Sequence, residues 1–197
     1  MKMIHNALPS SIFSNVKSTL EEPFFPWYYV ENTAYGSSSD KLNNGSFFHT
    51  AFDLDNGIQK NYYSNLLEFC LMSILDKVGL DIKKLIRIRI GLITISPNVF
   101  IHSPHVDIDR PHKVGLLYIN DSDGDTIIYN EKYNQSYGEN NISYYKNVLK
   151  ENVSILSRST PEENKFIMFD GMHYHSSSTP VKTSRRIVVN YAFETYS

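Results

Sequence analysis

Residues 85–95 read LIRIRIGLITI, and the hydrophobic spacing of the chain changes there. Arg alternates with Ile and then gives way to β-branched residues, as in a strand with one buried face. Arg87 and Arg89 share a parity; solvent is their expected neighbour, with an anionic substrate as the alternative. Just upstream, NYYSNLLEFCLMSILDKVGL (61–80) repeats apolar residues at intervals of three and four and ends in Lys-Val-Gly, a helix pattern. An earlier helix is expected in LPSSIFSNVKSTLEE (8–22), where Pro23 prevents continuation. Downstream, VGLLYI, DTIIY, VSILS, KFIMF and RRIVVNYAF are strand candidates joined by turn-rich pieces such as NDSDGD and FDG. FFPWYYV (24–30) is broken by Pro26 and suits an edge strand. Two helices followed by many strands, without a βαβ rhythm, predict a mainly β fold with supporting α. The order fits a double-stranded β-helix of the jelly-roll or cupin-like kind, with the N-terminal helices packed on one sheet.

The chain has 197 residues, 41% of them hydrophobic and 13% aromatic, enough for one sizeable core. A single domain over 1–197 is expected, with helical support in 1–80 and a β core in 85–195. The polar, Tyr-rich stretch 131–152 would be a lid insertion. Nineteen basic and twenty-one acidic residues are interspersed, so the footprint of a nucleic-acid binder is missing. No apolar run reaches bilayer length and the N-terminus lacks the apolar centre of a secretory signal, so no membrane partner and a cytoplasmic location are expected. The single cysteine, Cys70, lies in the apolar-periodic helix segment and is read as core filling.

HSPHVDID (102–109) holds two histidines and two aspartates. In an extended segment residues i and i+2 point to one side, so His105 and Asp107 can offer an imidazole and a carboxylate to one ion. Further on, FIMFDGMHYHSSS supplies His173 and His175 after a strand and a tight turn. Two histidines and a carboxylate on one face suit non-haem Fe(II) and leave coordination positions open. Ten residues beyond His175, a terminal strand opens on Arg185 and Arg186, and an arginine fork is a natural clamp for a carboxylate.

The order His-x-Asp, a Tyr-bearing strand, FDGxxYH and an Arg-led last strand resembles the Fe(II)/2-oxoglutarate-dependent dioxygenases. The likeness is greatest to their prolyl-hydroxylase-like branch, including phage-encoded members with NDSDGDT and FDGxxYHSS segments. It spans residues 85–195. The resemblance implies iron held by His105, Asp107 and His175, with His173 as the rival for the last position because it shares the parity of His175. His175 is preferred because small residues follow it directly. The far carboxylate of 2-oxoglutarate would be gripped by Arg185, chosen over Arg186 by counting back from Phe193, with Tyr118 assisting. Arg185 would then share an inward face with Ile187, Val189 and Tyr191. Asp109 is a candidate acceptor for an iron-bound imidazole, and His102 and His112 are flanking histidines. Implied cofactors are Fe(II), 2-oxoglutarate as cosubstrate and O2, with ascorbate as reductant. The implied reaction hydroxylates an unactivated C–H bond of a small molecule, amino acid or peptide, releasing succinate and CO2. Trp27, Tyr137, Tyr144 and Tyr145 are possible pocket-border residues. The chain departs from many relatives in having Ile187 and Val189 where a Ser or Thr follows the arginine. Asp107 argues against a halogenating site, where that carboxylate is missing. The alternative is a cupin-like metal-binding module that is non-catalytic or differently catalytic.

Overall fold

The computed structural model describes residues 1–31, 45–134 and 153–196. Its elements are β1 (Lys2–Ile4), α1 (Ser10–Glu21), β2 (Tyr28–Val30), β3 (Ser46–Asp53), α2 (Tyr62–Asp76), β4 (Ile82–Thr94), β5 (Lys113–Tyr118), β6 (Thr126–Lys132), β7 (Ile155–Ser159), β8 (Phe166–Asp170), β9 (His173–Ser177) and β10 (Arg185–Thr195). The strands form a seven-stranded sheet, β1-β8-β5-β10-β4-β3-β2, and a three-stranded sheet, β7-β6-β9. All named pairings are antiparallel. This is the predicted jelly-roll arrangement, with helices against the larger sheet.

The periodicity break at residues 76–82 separates two ways of burying the same core. Asn61 and Ser64 cap α2 reciprocally, and Gly79, at φ 66°, ends it while the Leu80 N–H returns to the Leu75 carbonyl. Leu67, Cys70, Leu71, Ile74 and Leu75 of α2, with Phe13, Val16 and Leu20 of α1, pack on one face of the large sheet. That face presents Ile88 and Ile90 from β4 and Ile187, Val189, Tyr191 and Phe193 from β10. Each large apolar side chain buried there contributes about 1.5–3 kcal/mol. Cys70 is fully buried, and burial pushes its thiol up to about 12, so it is core filling.

The opposite face of the large sheet meets the small sheet. Val114, Leu116, Tyr118, Ile128, Ile167, Phe169 and Val188 form the apolar layer between them. Among the described residues, the sequence pattern did not reveal β1, β3 or β9. β2 lies at the edge of the large sheet, where Pro26 two residues earlier does no harm. Of the stretch 131–152 only residues 131–134 are described, and Glu131 and Lys132 end β6. Tyr137, Tyr144 and Tyr145 lie outside the described residues. Trp27 is half-buried and packs on Phe25, with ring centroids 4.6 Å apart. No helix among the described residues is long and apolar enough to cross a membrane.

Candidate metal centre

The loop after β4 comes back along β9 as an irregular extra strand. Ile101 bridges Ser178 and His105 bridges His175, and the backbones of His105 and His175 exchange hydrogen bonds of 3.0 and 2.9 Å. This pairing holds the two imidazoles with centroids 4.6 Å apart. Asp107 follows at the same parity, and one ligating atom from each of His105, Asp107 and His175 lies within 4.8 Å of the others. His173 stands apart from this group, its Nδ1 turned to the Tyr129 carbonyl at 2.8 Å.

Each clustered histidine faces the carbonyl two residues before it with Nδ1: Ser103 O at 3.1 Å for His105 and His173 O at 3.3 Å for His175. A carbonyl can only accept, so Nδ1 carries the proton and Nε2 keeps its lone pair for a metal. The backbone therefore fills the place proposed for Asp109, which is exposed. Burial, reinforced by the neighbouring His175, pulls His105 down to about 4. Burial alone would raise the Asp107 carboxyl, but the Arg87 guanidinium beside it holds it well below the usual carboxylate range. At neutral pH the carboxylate is anionic and His105 neutral, the states that bind a metal.

The expectation that Arg87 and Arg89 face solvent is corrected. Both lie on the face of β4 that looks toward the small sheet. Arg87 pairs with Asp107 through Nη2 and Oδ1. The Arg89 guanidinium lies 3.7 Å above the centre of the Phe48 ring. Gly91 accommodates that ring, since a Cβ there would come within 3.0 Å of it. The alternation in LIRIRI was real, but both faces of this sheet are covered.

The pocket beside the triad is walled by Phe48, Gly91, Leu116 and Val188 and reaches Arg186 and Thr126. Arg186 is 4% exposed, and burial lowers its pKa. Its Nη2 donates to Thr126 Oγ1 at 2.8 Å, and the Tyr118 hydroxyl donates to the same oxygen at 2.8 Å. With both lone pairs occupied, the Thr126 proton is left for a third partner. Arg186 Nε has no hydrogen-bond partner among the described residues. Tyr118 is fully buried and reaches this end of the pocket through Thr126.

Arg185 is not in the pocket. Its side chain is 45% exposed and pairs with Glu21 of α1 at 2.8 Å. It does share a side of β10 with Ile187, Val189 and Tyr191, but that side lies under the helices, and Arg186, Val188 and Asn190 look into the pocket. The two flanking histidines are buried outside the triad. His102 contacts the Ser177 carbonyl at 2.9 Å. The His112 ring lies on the backbone of Gly171, where a Cβ would meet it at 2.2 Å, which accounts for the glycine in the FDG turn. Thr126 and Asn190 were not identified from sequence, nor was Arg87 as the partner of Asp107; the register of β4 and β10 sets Arg87 beside Asn190, while Thr126 reaches Arg186 from β6 of the opposite sheet.

Neither a protein-family model nor a curated protein sequence matches the chain. Solved structures do match its fold. An oxidoreductase of the 2OG-Fe(II) oxygenase family from Burkholderia pseudomallei aligns over 98% of this chain and 84% of its own, with TM-score 0.64 and 11% identity. A prolyl hydroxylase from Trichoplax adhaerens, solved with a hypoxia inducible factor oxygen degradation domain peptide fragment, aligns over 98% and 82%, with TM-score 0.60 and 13% identity. HygX from Streptomyces hygroscopicus, solved with nickel and 2-oxoglutarate bound, aligns over 98% and 81%, with TM-score 0.57 and 12% identity. Over nearly its whole length, the chain has the fold of the 2-oxoglutarate–Fe(II) oxygenases.

Proposed function

We propose that the protein is an Fe(II)- and 2-oxoglutarate-dependent dioxygenase that hydroxylates an unactivated C–H bond. The observation that carries this reading is one pocket with a His-Asp-His cluster at one end and a buried arginine with an unused donor at the other. The donor set fits the group: two imidazole nitrogens and one carboxylate suit Fe(II), and three protein ligands leave positions for a chelating cosubstrate and O2. When bound, iron with 2-oxoglutarate and O2 supplies the oxidising power for hydroxylation, and the cosubstrate leaves as succinate and CO2.

His105, Asp107 and His175 hold the metal in this reading. Arg186 replaces Arg185 as the clamp for the far carboxylate of 2-oxoglutarate. Its free Nε–H and the Thr126 hydroxyl both lack the acceptor that a carboxylate would provide. Thr126 thereby supplies, from β6, the hydroxyl that relatives carry on the arginine strand. Tyr118 acts one step away by orienting Thr126. Leu116, Val188 and Phe48 exclude water from the space between the two ends. A proline-like or other amino-acid side chain, in a peptide or free, is the substrate class favoured by the likeness to prolyl hydroxylases. A cytoplasmic location and ascorbate as reductant belong to the same reading.

The test is cosubstrate turnover. Purified protein with Fe(II), 2-oxoglutarate and O2 is expected to form succinate above a metal-free control, and a matching peptide or amino acid should raise that rate. No succinate across a broad panel, together with no iron binding, removes the catalytic reading and leaves a binding module.

A further inference from the structure

Asp107 lies beyond the bridge that fixes His105 to β9, in a stretch of bends spanning 107–111. Among the described residues, His175 of the small sheet stands 3.5 Å from this carboxylate, and its closer restraints come across the pocket from the large sheet. Arg87 of β4 reaches it twice, through Nη2 to Oδ1 and through Nη1 to the backbone carbonyl at 3.4 Å. Asn190 of β10 donates Nδ2 to Oδ2 at 3.0 Å. Asn190 is paired with Arg89 across the two strands, so Arg87 is its diagonal neighbour on the same face. The side chains of the ion pair are 14% and 8% exposed, which shields them from solvent screening.

A buried ion pair is a poor way to stabilise a core, since apolar residues of similar volume serve at least as well. A guanidinium next to a metal ligand also repels the metal. Metal affinity and packing therefore both argue against an arginine at this position, whereas orientation argues for it. Resting on the dioxygenase reading above, we propose that Arg87 and Asn190 are positioning residues of the metal centre. Arg87 occupies Oδ1, and Asn190 steadies Oδ2, the oxygen 3.5 Å from His175 Nε2, so that the remaining lone pair of Oδ2 is presented to the ion.

Because the lost charge and the lost orientation of an Arg87 variant act on affinity in opposite directions, the decisive readout is the visible ligand-field spectrum of the Co2+-loaded full chain. Wild-type protein is expected to bind Co2+ with one defined spectrum; failure to bind overturns the metal reading itself and this proposal with it. Given binding, Arg87→Met and Asn190→Ala are expected to change the spectrum while the far-ultraviolet circular dichroism stays the same. Arg87→Lys keeps the charge and loses the fork, so it is expected to bind Co2+ about tenfold more weakly. Wild-type spectra in folded Arg87→Met and Asn190→Ala overturn the proposal. Should Arg87→Met fail to fold, Arg87→Lys and Asn190→Ala decide it by the same spectrum and affinity.

Discussion

The two sides of β10 are built from alternate residues of one strand and do different work. Ile187, Val189, Tyr191 and Phe193 lie under the helices, where shape and apolar area suffice. Arg186, Val188 and Asn190 look into the pocket, where the individual hydrogen-bonding atoms matter. A one-residue change of parity exchanges these roles completely. The structure puts Arg185 on the helix side, against Glu21, and Arg186 on the pocket side, against Thr126. Substitutions on the two sides should therefore separate binding from stability.

The largest separation is expected at the metal. Asp107→Ala and His175→Ala should lose more than about a hundredfold in Mn2+ affinity by titration calorimetry, since each removes one of the three proposed ligands and loss of an outer hydrogen-bonding partner alone costs 10–100-fold. Near-wild-type Mn2+ binding by either would mean the ion sits elsewhere. On the helix side, Leu71→Ala should cost about 2–5 kcal/mol in urea unfolding and leave Mn2+ affinity unchanged in the folded protein. A large fall in affinity there would show that the two sides are coupled.

A smaller and pH-dependent difference is expected without metal. Burial keeps His102 and His105 neutral in the fold, at about 4 against an ordinary 6.5. The unfolded chain takes up these protons first as the pH falls, so stability declines between pH 6.5 and 4. In urea titrations of metal-free protein, His102→Gln should make this decline shallower, whereas the cost of Leu71→Ala should be the same at both ends of the window. A wild-type slope in His102→Gln would exclude His102 as a source.

The fold was largely legible because its signals are redundant. The switch in LIRIRIGLITI, the period of α2 and the stops at Pro23 and Gly79 all lead to the same arrangement of helices on a sheet. β3 is hard to read because SFFHTAFD mixes both faces of a covered strand, and β9 because HYHSS is polar rather than apolar in pattern. His105 and Asp107 could be proposed because their types and spacing are local, and His175 through the resemblance of FDGxxYH. Thr126, Arg87 and Asn190 could not, because Arg87 and Asn190 meet only through the register of β4 and β10, and Thr126 meets Arg186 only where the two sheets face each other. That the structure puts Arg186 rather than Arg185 in the pocket was hidden for a related reason. Alternation shows which residues share a side, but in a sheet covered on both faces it does not show which side holds the chemistry.

Cosubstrate binding is therefore expected to depend on Arg186. The most direct measurement is calorimetric titration of 2-oxoglutarate into Mn2+-loaded wild-type, Arg186→Met and Arg185→Met proteins. Saturable, metal-dependent binding is expected for wild type, with affinity at least about tenfold weaker in Arg186→Met, as for a lost charge-assisted pair, and within about twofold of wild type in Arg185→Met, whose exposed ion pair is worth little. Binding that ignores the metal, or that falls with Arg185 and not with Arg186, would contradict the account.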